Sequence, residues 1–135
     1  MDILYLIGRI LLGGYFLGAG LNHFTRLAGM AAYAQSKGVP FPTLAVAGTG
    51  VLLLLGGASI LLGFLPQIGA ILLLVFLFPV TFWMHRFWQE KDEMAKMNET
   101  INFTKNLGLA GALLALLALT WTHGAGPFSL VDLPR

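Results

Sequence analysis

The sequence predicts an all-α polytopic membrane protein, an antiparallel bundle of four transmembrane helices that forms one domain over residues 1–135. Of the 135 residues, 57% are hydrophobic and only 10% are charged, whereas charged residues make up about 25% of a typical soluble domain. Four separate stretches each have about 20 mostly apolar residues, the length that crosses a bilayer as a helix. A soluble domain of this size could not bury so many apolar side chains.

The predicted spans cover residues 3–24, 43–64, 67–86 and 102–121. Only a very tight turn at Pro66 separates the second span from the third, so these two are predicted to form an antiparallel hairpin. The first stretch has no basic segment before it and no cleavage pattern after it, and it is too long for the apolar part of a signal peptide. It is therefore expected to be retained.

The connection between spans one and two predicts a short helix in the membrane interface. Thr25 is a suitable N-terminal cap and Gly38 a suitable end. Leu27, Met30 and Ala34 share one face of this helix, which is typical of a helix that lies along a bilayer surface.

The charged run after span three predicts that the third helix extends into water. Arg86 and Glu90 are four residues apart, and so are Asp92 and Lys96, so each pair of opposite charges would meet on one helix face.

Basic residues predict the orientation in the membrane. In a four-span protein the two charged connections lie on one side, and here they carry six basic residues, whereas the other side has Arg135 and, inside the first span, Arg9. The positive-inside rule therefore places both termini outside a bacterial or archaeal cytoplasmic (inner) membrane. The six residues are Arg26, Lys37, Arg86, Lys91, Lys96 and Lys105.

The composition excludes several kinds of site. Without cysteine the chain has no disulfide, no thiolate zinc site and no cysteine-ligated iron–sulfur cluster. No carboxylate lies at ligand spacing from the histidines, so neither a metal site nor a bis-histidine haem is predicted. The basic residues are dispersed, which gives no nucleic-acid surface.

Helical periodicity predicts which faces point into the bundle. Polar groups stand at the two ends of each face, with apolar or small residues between them. The face of span one has Arg9, Gly13, Phe16, Gly20 and His23, that of span three has Gln67, Ile71, Leu74, Phe78, Thr81 and His85, and that of span four has Asn102, Asn106, Leu109, Leu113 and Thr120.

Small residues four apart predict close helix contacts. These pairs are Gly14/Gly18, Ser59/Gly63, Gly108/Ala112 and Gly111/Ala115. Gly14 and Gly18 also suggest a homodimer.

Polar residues near the cytoplasmic helix ends are the candidate ligand-binding site. Imidazoles can relay protons or hydrogen-bond a quinone carbonyl, amides can orient the ring, and tryptophan can stack on it. The same residue types are also typical of hydrated helix ends, and the sequence leaves both interpretations open. The candidates are Asn22, His23, His85, Trp88, Lys105 and Asn106.

Arg9 needs an explanation, because it places a permanent charge about two turns inside a span. Its side chain could extend to the nearby outer surface. Alternatively it pairs with Asp132, since Gly124, Gly126 and Pro127 allow the tail to fold back over the outer end of the bundle. We predict the Arg9–Asp132 pair.

Several segments together resemble the DoxX family of small four-helix membrane proteins. The first span, IGRILLGGYFLGAGLNHF, is similar to that family's opening. The segment HRFWQEKDEMAKMNETINFTKNLGLAGALLALLA has His85, Trp88, Lys105 and Asn106 where the family's loop and fourth helix would have them. The tail GPFSLVD resembles the family's ending, with Ser129 and Asp132 as its polar residues, and the resemblance covers nearly the whole chain.

The resemblance implies a subunit of a quinone-linked membrane redox complex, at most an oxidoreductase subunit that acts with a protein partner in the membrane or at the cytoplasmic face. The alternative is a non-enzymatic membrane adaptor or chaperone, or a binder of a small hydrophobic ligand. The chain departs from the family pattern where a glutamate often precedes paired glycines in span two. Leucines 52–55 precede Gly56 and Gly57 here, which argues against a proton-coupled role through that acid.

Overall fold

The computed structural model describes residues 1–134, and its elements are helices joined by short connections. The helices are α1 Asp2–Thr25, α2 Leu27–Ser36, α3 Pro42–Leu62, α4 Pro66–Met84 and α5 Glu93–His123, with a 3-10 turn at Phe87–Gln89 between α4 and α5. All of the α-helices except α2 are long and apolar enough to cross a membrane. The predicted fold class, an all-α polytopic membrane protein, is therefore confirmed.

The helices follow one another in space as α1, α3, α4 and α5, with α2 packed against α3. We call the end that carries the 26–41 and 85–92 connections the connection end. The opposite end, which carries the N-terminus, the turn at 63–65 and the tail at 124–134, is the tail end. Large apolar side chains that face outward on every long helix supply the surface in contact with lipid.

Two pairs of glycines set the distances between neighbouring helices. A Cβ on Gly13 would lie 2.7 Å from the Gly57 carbonyl oxygen, and a Cβ on Gly57 would lie 2.9 Å from that of Gly13. Gly56 and Gly69 make the same approach between α3 and α4, since a Cβ on either would lie 3.0 Å from the other's carbonyl oxygen. Backbones therefore touch at both contacts, which only glycine allows.

The small-residue contacts predicted on α1 and α5 are not made within the chain. A Cβ on Gly14, Gly18, Gly108 or Gly111 would meet nothing within 4 Å in the described part of the chain. Their helices approach neighbours through other faces, so the predicted packing through these residues is wrong. A homodimer through Gly14 and Gly18 stays a prediction.

The inward face predicted for α1 is confirmed, whereas that of α4 is wrong in part. The buried residues of α1 are Arg9, Gly13, Phe16, Gly20 and His23. On α4, Ile71 and Phe78 are 38% and 46% exposed, and the buried face centres on Leu73 and Leu77. Helix α4 packs between α3 and α5. Its buried surface is therefore wider than the predicted face and is displaced around the helix, away from Ile71 and Phe78.

The helical extension predicted after span three is wrong. Helix α4 ends at Met84, and the helix that leaves the apolar region is instead the first part of α5. Asp92 caps that helix, because its Oδ2 accepts from the backbone N–H of Ala95 at 2.9 Å. Arg86 and Glu90 consequently do not share a helix face, and Glu90 forms a salt bridge with Lys37.

Helix α2 folds against the bundle at the connection end. Its Ala31 and Ala34 pack with Val46 of α3 in a small apolar cluster. The cap predicted at Thr25 is wrong, since that residue is the last of α1 and α2 begins after Arg26 with no side-chain cap.

The tail crosses back over the tail end, as predicted. The backbone N–H of Leu65 donates to the Val131 carbonyl at 2.9 Å, and that of Leu130 donates to the Gly63 carbonyl at 3.0 Å. From α1, the Tyr5 hydroxyl donates to the Ala125 carbonyl at 2.9 Å. The tail is thus tied to the α3–α4 turn and to α1.

Arg9 is the centre of this closure and is only 2% exposed. Its guanidinium donates to carbonyls in the last turn of α3 and to three groups of the tail, and carbonyls at a helix end lack helical donors. Because the side chain points into protein, its extension to the surface is ruled out. The acceptors are the carbonyls of Ile60 (2.9 Å), Leu61 (3.0 Å), Pro127 (3.0 Å) and Phe128 (3.4 Å) and the hydroxyl of Ser129 (2.9 Å).

Asp132 holds the same tail from the α4 side. Its Oδ1 accepts from Gln67 Nε2 at 2.7 Å, and its Oδ2 accepts from the backbone N–H of Ala125 at 2.9 Å. Both Arg9 and Asp132 therefore fasten the tail, each through the bonds just given. A direct pair between them stays a prediction.

Candidate functional site

A cavity of about 220 Å³ lies inside the bundle towards the connection end, and we call it the inner cavity. Every α-helix contributes to its wall. Most of the wall is apolar, with Phe16, Leu53, Phe76 and Leu77 among its residues. The polar side chains that line it are Tyr15, His23, Tyr33, His85, Asn102, Lys105 and Asn106.

Four of the six predicted site residues, His23, His85, Lys105 and Asn106, line the inner cavity. The structure brings the other two to different places. Asn22 is exposed on the outside of α1, because one residue turns a helix by 100° away from His23. Trp88 is 51% exposed and packs edge-on against Phe87 and Phe103.

Asn106 is the residue whose surroundings point most directly to a ligand. It is 6% exposed and lines the inner cavity, yet within residues 1–134 its side chain has no hydrogen-bond partner. Its amide atoms are open to the cavity, because the fully buried side-chain atoms without a partner in residues 1–134 are Gln67 Oε1 and Arg86 Nε. The amide therefore presents two N–H donors and one carbonyl acceptor to whatever occupies the cavity.

His23 also lines the inner cavity. Its Nδ1 lies 2.8 Å from the carbonyl oxygen of Ala19, and because a carbonyl only accepts, we assign the proton of the neutral ring to Nδ1. Nε2 is then an acceptor. The ring of Phe76, with its centroid 5.9 Å away, packs edge-on against the imidazole and fixes its plane.

His85 is bonded to a buried acid that sequence reasoning missed. Its Nδ1 lies 2.7 Å from Oε2 of Glu99, a residue that is 7% exposed. Oε1 of Glu99 accepts from the Tyr33 hydroxyl and lies 3.5 Å from Lys37 Nζ. The signal was present in the sequence, since Glu99 precedes Asn106 by seven residues and so shares its helix face.

A second, polar space of about 440 Å³ adjoins this acid, and we call it the polar pocket. Glu99 lines the polar pocket, whereas its partner His85 lines the inner cavity, and Tyr33 lines both. The acid therefore stands between the two spaces. The other residues of the polar pocket are Ser36, Lys37, Arg86, Gln89, Glu90 and Ala95.

An apolar groove of about 620 Å³ runs between α1 and α5, and we call it the lateral groove. Glycine and alanine at Gly8, Ala112 and Ala115 leave this space between the two helices. Tyr15 and Leu109 line both the lateral groove and the inner cavity. The lateral groove and the inner cavity therefore adjoin at these two residues.

These side chains suit an oxygen-bearing ligand with an apolar body. Asn106 and Lys105 can donate, and His23 can accept. Within residues 1–134, no three histidine, aspartate or glutamate side chains gather closely enough to hold a metal ion.

Comparison with known proteins agrees with this architecture. The family model described as DoxX matches residues 4–86. The inner membrane protein YphA of Escherichia coli (strain K12) is 33% identical over 128 residues, which cover 95% of this chain and 88% of the relative. The inner membrane protein YqjF of the same organism is 33% identical over 132 residues, covering 96% of this chain and 90% of the relative. No solved structure matches the chain.

Proposed function

Because the chain belongs to the DoxX family, we propose that it binds the head group of a lipid-soluble quinone in the inner cavity, as a subunit of a quinone-linked membrane redox complex. The buried amide of Asn106, which has no hydrogen-bond partner among the described residues and faces the cavity, carries this proposal. A quinone carbonyl is the kind of acceptor that such an amide lacks.

Both redox forms of a quinone match the polar groups of the cavity. The Asn106 amide can donate to a quinone carbonyl, and His23 Nε2 can accept from a quinol hydroxyl. His85 can do either, because a proton on Nδ1 makes Nε2 an acceptor and a proton on Nε2 makes it a donor. Reduction needs two electrons and two protons for each quinol formed, and we propose that a reduced partner protein supplies the electrons.

The sizes of the two spaces favour a ligand with a compact head and an apolar chain. At about 220 Å³, the inner cavity is smaller than the pockets of about 300–1,000 Å³ that hold whole drug-sized ligands. A single ring fits that space, and its chain would lie in the lateral groove of about 620 Å³. Tyr15 and Leu109 stand where the ring would meet the chain.

We expect purified protein to bind decylubiquinone more tightly than decylbenzene, which has the same chain and no carbonyl. Asn106→Leu should weaken decylubiquinone binding by about three- to tenfold, the value of one buried hydrogen bond. Equilibrium titration in detergent measures both affinities.

Trp88→Leu is the matched control for this titration, because Trp88 is exposed and does not line the inner cavity. It should leave the affinity unchanged. Equal affinities for decylubiquinone and decylbenzene would contradict the quinone proposal and favour a binder of hydrophobic ligands in the lateral groove. Unchanged affinity in Asn106→Leu, with the fold intact by thermal unfolding, would contradict the assigned position of the head group.

We also propose that the connection end faces the cytoplasm, with both termini outside, since the two connections and the start of α5 carry five of the eight basic residues, Arg26, Lys37, Arg86, Lys91 and Lys96. A periplasmic reporter fused after Arg135 should be active and a cytoplasmic reporter there silent. The same reporters inserted in the 85–92 connection should give the opposite pattern. Reversed patterns at both sites would overturn this orientation.

A further inference from the structure

We infer that Glu99 and His85, held in place by Tyr33, form a proton path between the polar pocket and the inner cavity. The inference rests on the proposed function only for the identity of the group that takes the proton. The path itself follows from the contacts around Glu99.

Three elements meet at the Glu99 carboxylate. Tyr33 of α2 donates its hydroxyl to Oε1, and His85, directly after α4, has its Nδ1 2.7 Å from Oε2. Glu99 itself belongs to α5. Because each oxygen has its own partner, the carboxylate is fixed with one oxygen towards the ring of His85. Tyr33 is thus a positioning residue.

The two proton-carrying groups face different spaces. Glu99 lines the polar pocket and has a side chain that is only 9% exposed, whereas the His85 side chain is 16% exposed and lines the inner cavity. The Glu99–His85 hydrogen bond joins the polar pocket to the inner cavity. A proton can therefore pass between the two spaces without a continuous chain of water molecules. A buried acid bonded to a histidine is weak evidence for a stabilising role, and carboxyl and imidazole groups are the side chains that most often relay protons in proteins.

The proton step balances as follows. A hydronium ion in the polar pocket protonates the Glu99 carboxylate and leaves as water. Glu99 then gives this proton to Nδ1 of His85 while the ring releases the proton on Nε2 to the group in the inner cavity. One proton enters and one leaves, Glu99 returns to a carboxylate, and His85 is left protonated on Nδ1. The ring must regain the proton on Nε2 and lose that on Nδ1, by exchange with water, before it carries another proton in the same direction. The reverse sequence carries a proton out of the cavity.

Two influences act on the Glu99 carboxyl in opposite directions. Burial favours its protonated form, whereas Lys37, whose Nζ lies 3.5 Å from Oε1, favours the carboxylate. Besides Tyr33, which lines both spaces, the titratable and charged groups beside the pair are Lys37, Arg86 and Glu90 in the polar pocket and His23, Tyr15 and Lys105 in the inner cavity.

Nuclear magnetic resonance of protein with ¹⁵N-labelled histidine tests the path without any quinone. In the unchanged protein, the ring protons of His85 should exchange with water faster than those of His23, which is 8% exposed and is bonded to the Ala19 carbonyl. Glu99→Gln keeps the size of the side chain and one acceptor oxygen, replaces the other oxygen by an NH₂ donor, and cannot carry a proton. It should slow exchange at His85 by about 10²-fold, the low end of the contribution of a positioned acid or base.

Glu90→Gln is the control, because it removes a carboxylate from the same pocket without a contact to His85. It should leave exchange at His85 unchanged, and neither variant should alter exchange at His23. Unchanged exchange in Glu99→Gln, or an equal slowing in both variants, would overturn the path. Should Glu99→Gln not fold, exchange at His85 no faster than at His23 in the unchanged protein would overturn it. If the protein does not bind quinone but the exchange results are as expected, the proposed function is wrong and the proton path is still supported.

Discussion

Replacing Arg9 by methionine is expected to lower the free energy of unfolding by about 3–5 kcal/mol, one of the two largest effects that we predict for single substitutions in this chain. Methionine keeps the apolar length of the side chain but removes every donor. Four carbonyls and the Ser129 hydroxyl then lose the charged donor that they share at the closed tail end. Unfolding in detergent, followed by circular dichroism against denaturant or temperature, measures the loss.

Ser129→Ala is the matched control for Arg9, because it removes one of these acceptors and leaves the guanidinium in place. It should cost about 1 kcal/mol. A loss in Arg9→Met no larger than that in Ser129→Ala would contradict the central place of Arg9 in the closure. A direct Arg9–Asp132 pair predicts in addition that the effects of Arg9→Met and Asp132→Leu do not add, with a coupling of about 0.5–3 kcal/mol.

The same substitution at two neighbouring glycines of α1 should have very different effects on stability. Gly13→Leu should destabilise the bundle by about 3 kcal/mol or more, at the upper end for overpacked sites, because a Cβ there lies 2.7 Å from backbone atoms of α3 that cannot move aside. Gly14→Leu should change stability by no more than about 0.5 kcal/mol, as for other exposed positions, because a Cβ there meets nothing within 4 Å.

Thermal unfolding of both variants in the same detergent tests this contrast, and the helix propensity gained on replacing glycine is the same at the two positions. Equal destabilisation would contradict the close approach of α1 and α3 at Gly13. A loss in Gly14→Leu that depends on protein concentration would instead indicate the homodimer predicted at Gly14 and Gly18, since dimer stability depends on concentration.

The sequence was sufficient for the fold class and for the buried face of α1. Both follow from local rules, because the bilayer sets the length of each apolar stretch and the helical period puts Arg9, Phe16 and His23 on one face. The sequence was less informative for α4. Because this helix packs against two neighbours, its buried surface lies on a face that does not include Ile71 and Phe78.

The candidate site could be predicted in part for a similar reason. His23, His85 and Asn106 were found because they interrupt apolar spans. Glu99 was missed because it lies in a charged segment that reads as a solvated helix, and only the turn after Met84 brings His85 against it. Contacts between segments that are distant in the sequence decide such a position, and neither composition nor periodicity records them.

Photolabelling with a quinone that carries an azide on its ring tests most directly whether the head group lies in the inner cavity. After irradiation and digestion, mass spectrometry should find the label on residues that line this cavity, in the α5 segment 102–109 and next to His85. Excess decylubiquinone should suppress the labelling and excess decylbenzene should not. Label distributed over the outer, lipid-facing sides of the helices, or suppressed equally by both competitors, would contradict the binding of a quinone head group in this cavity.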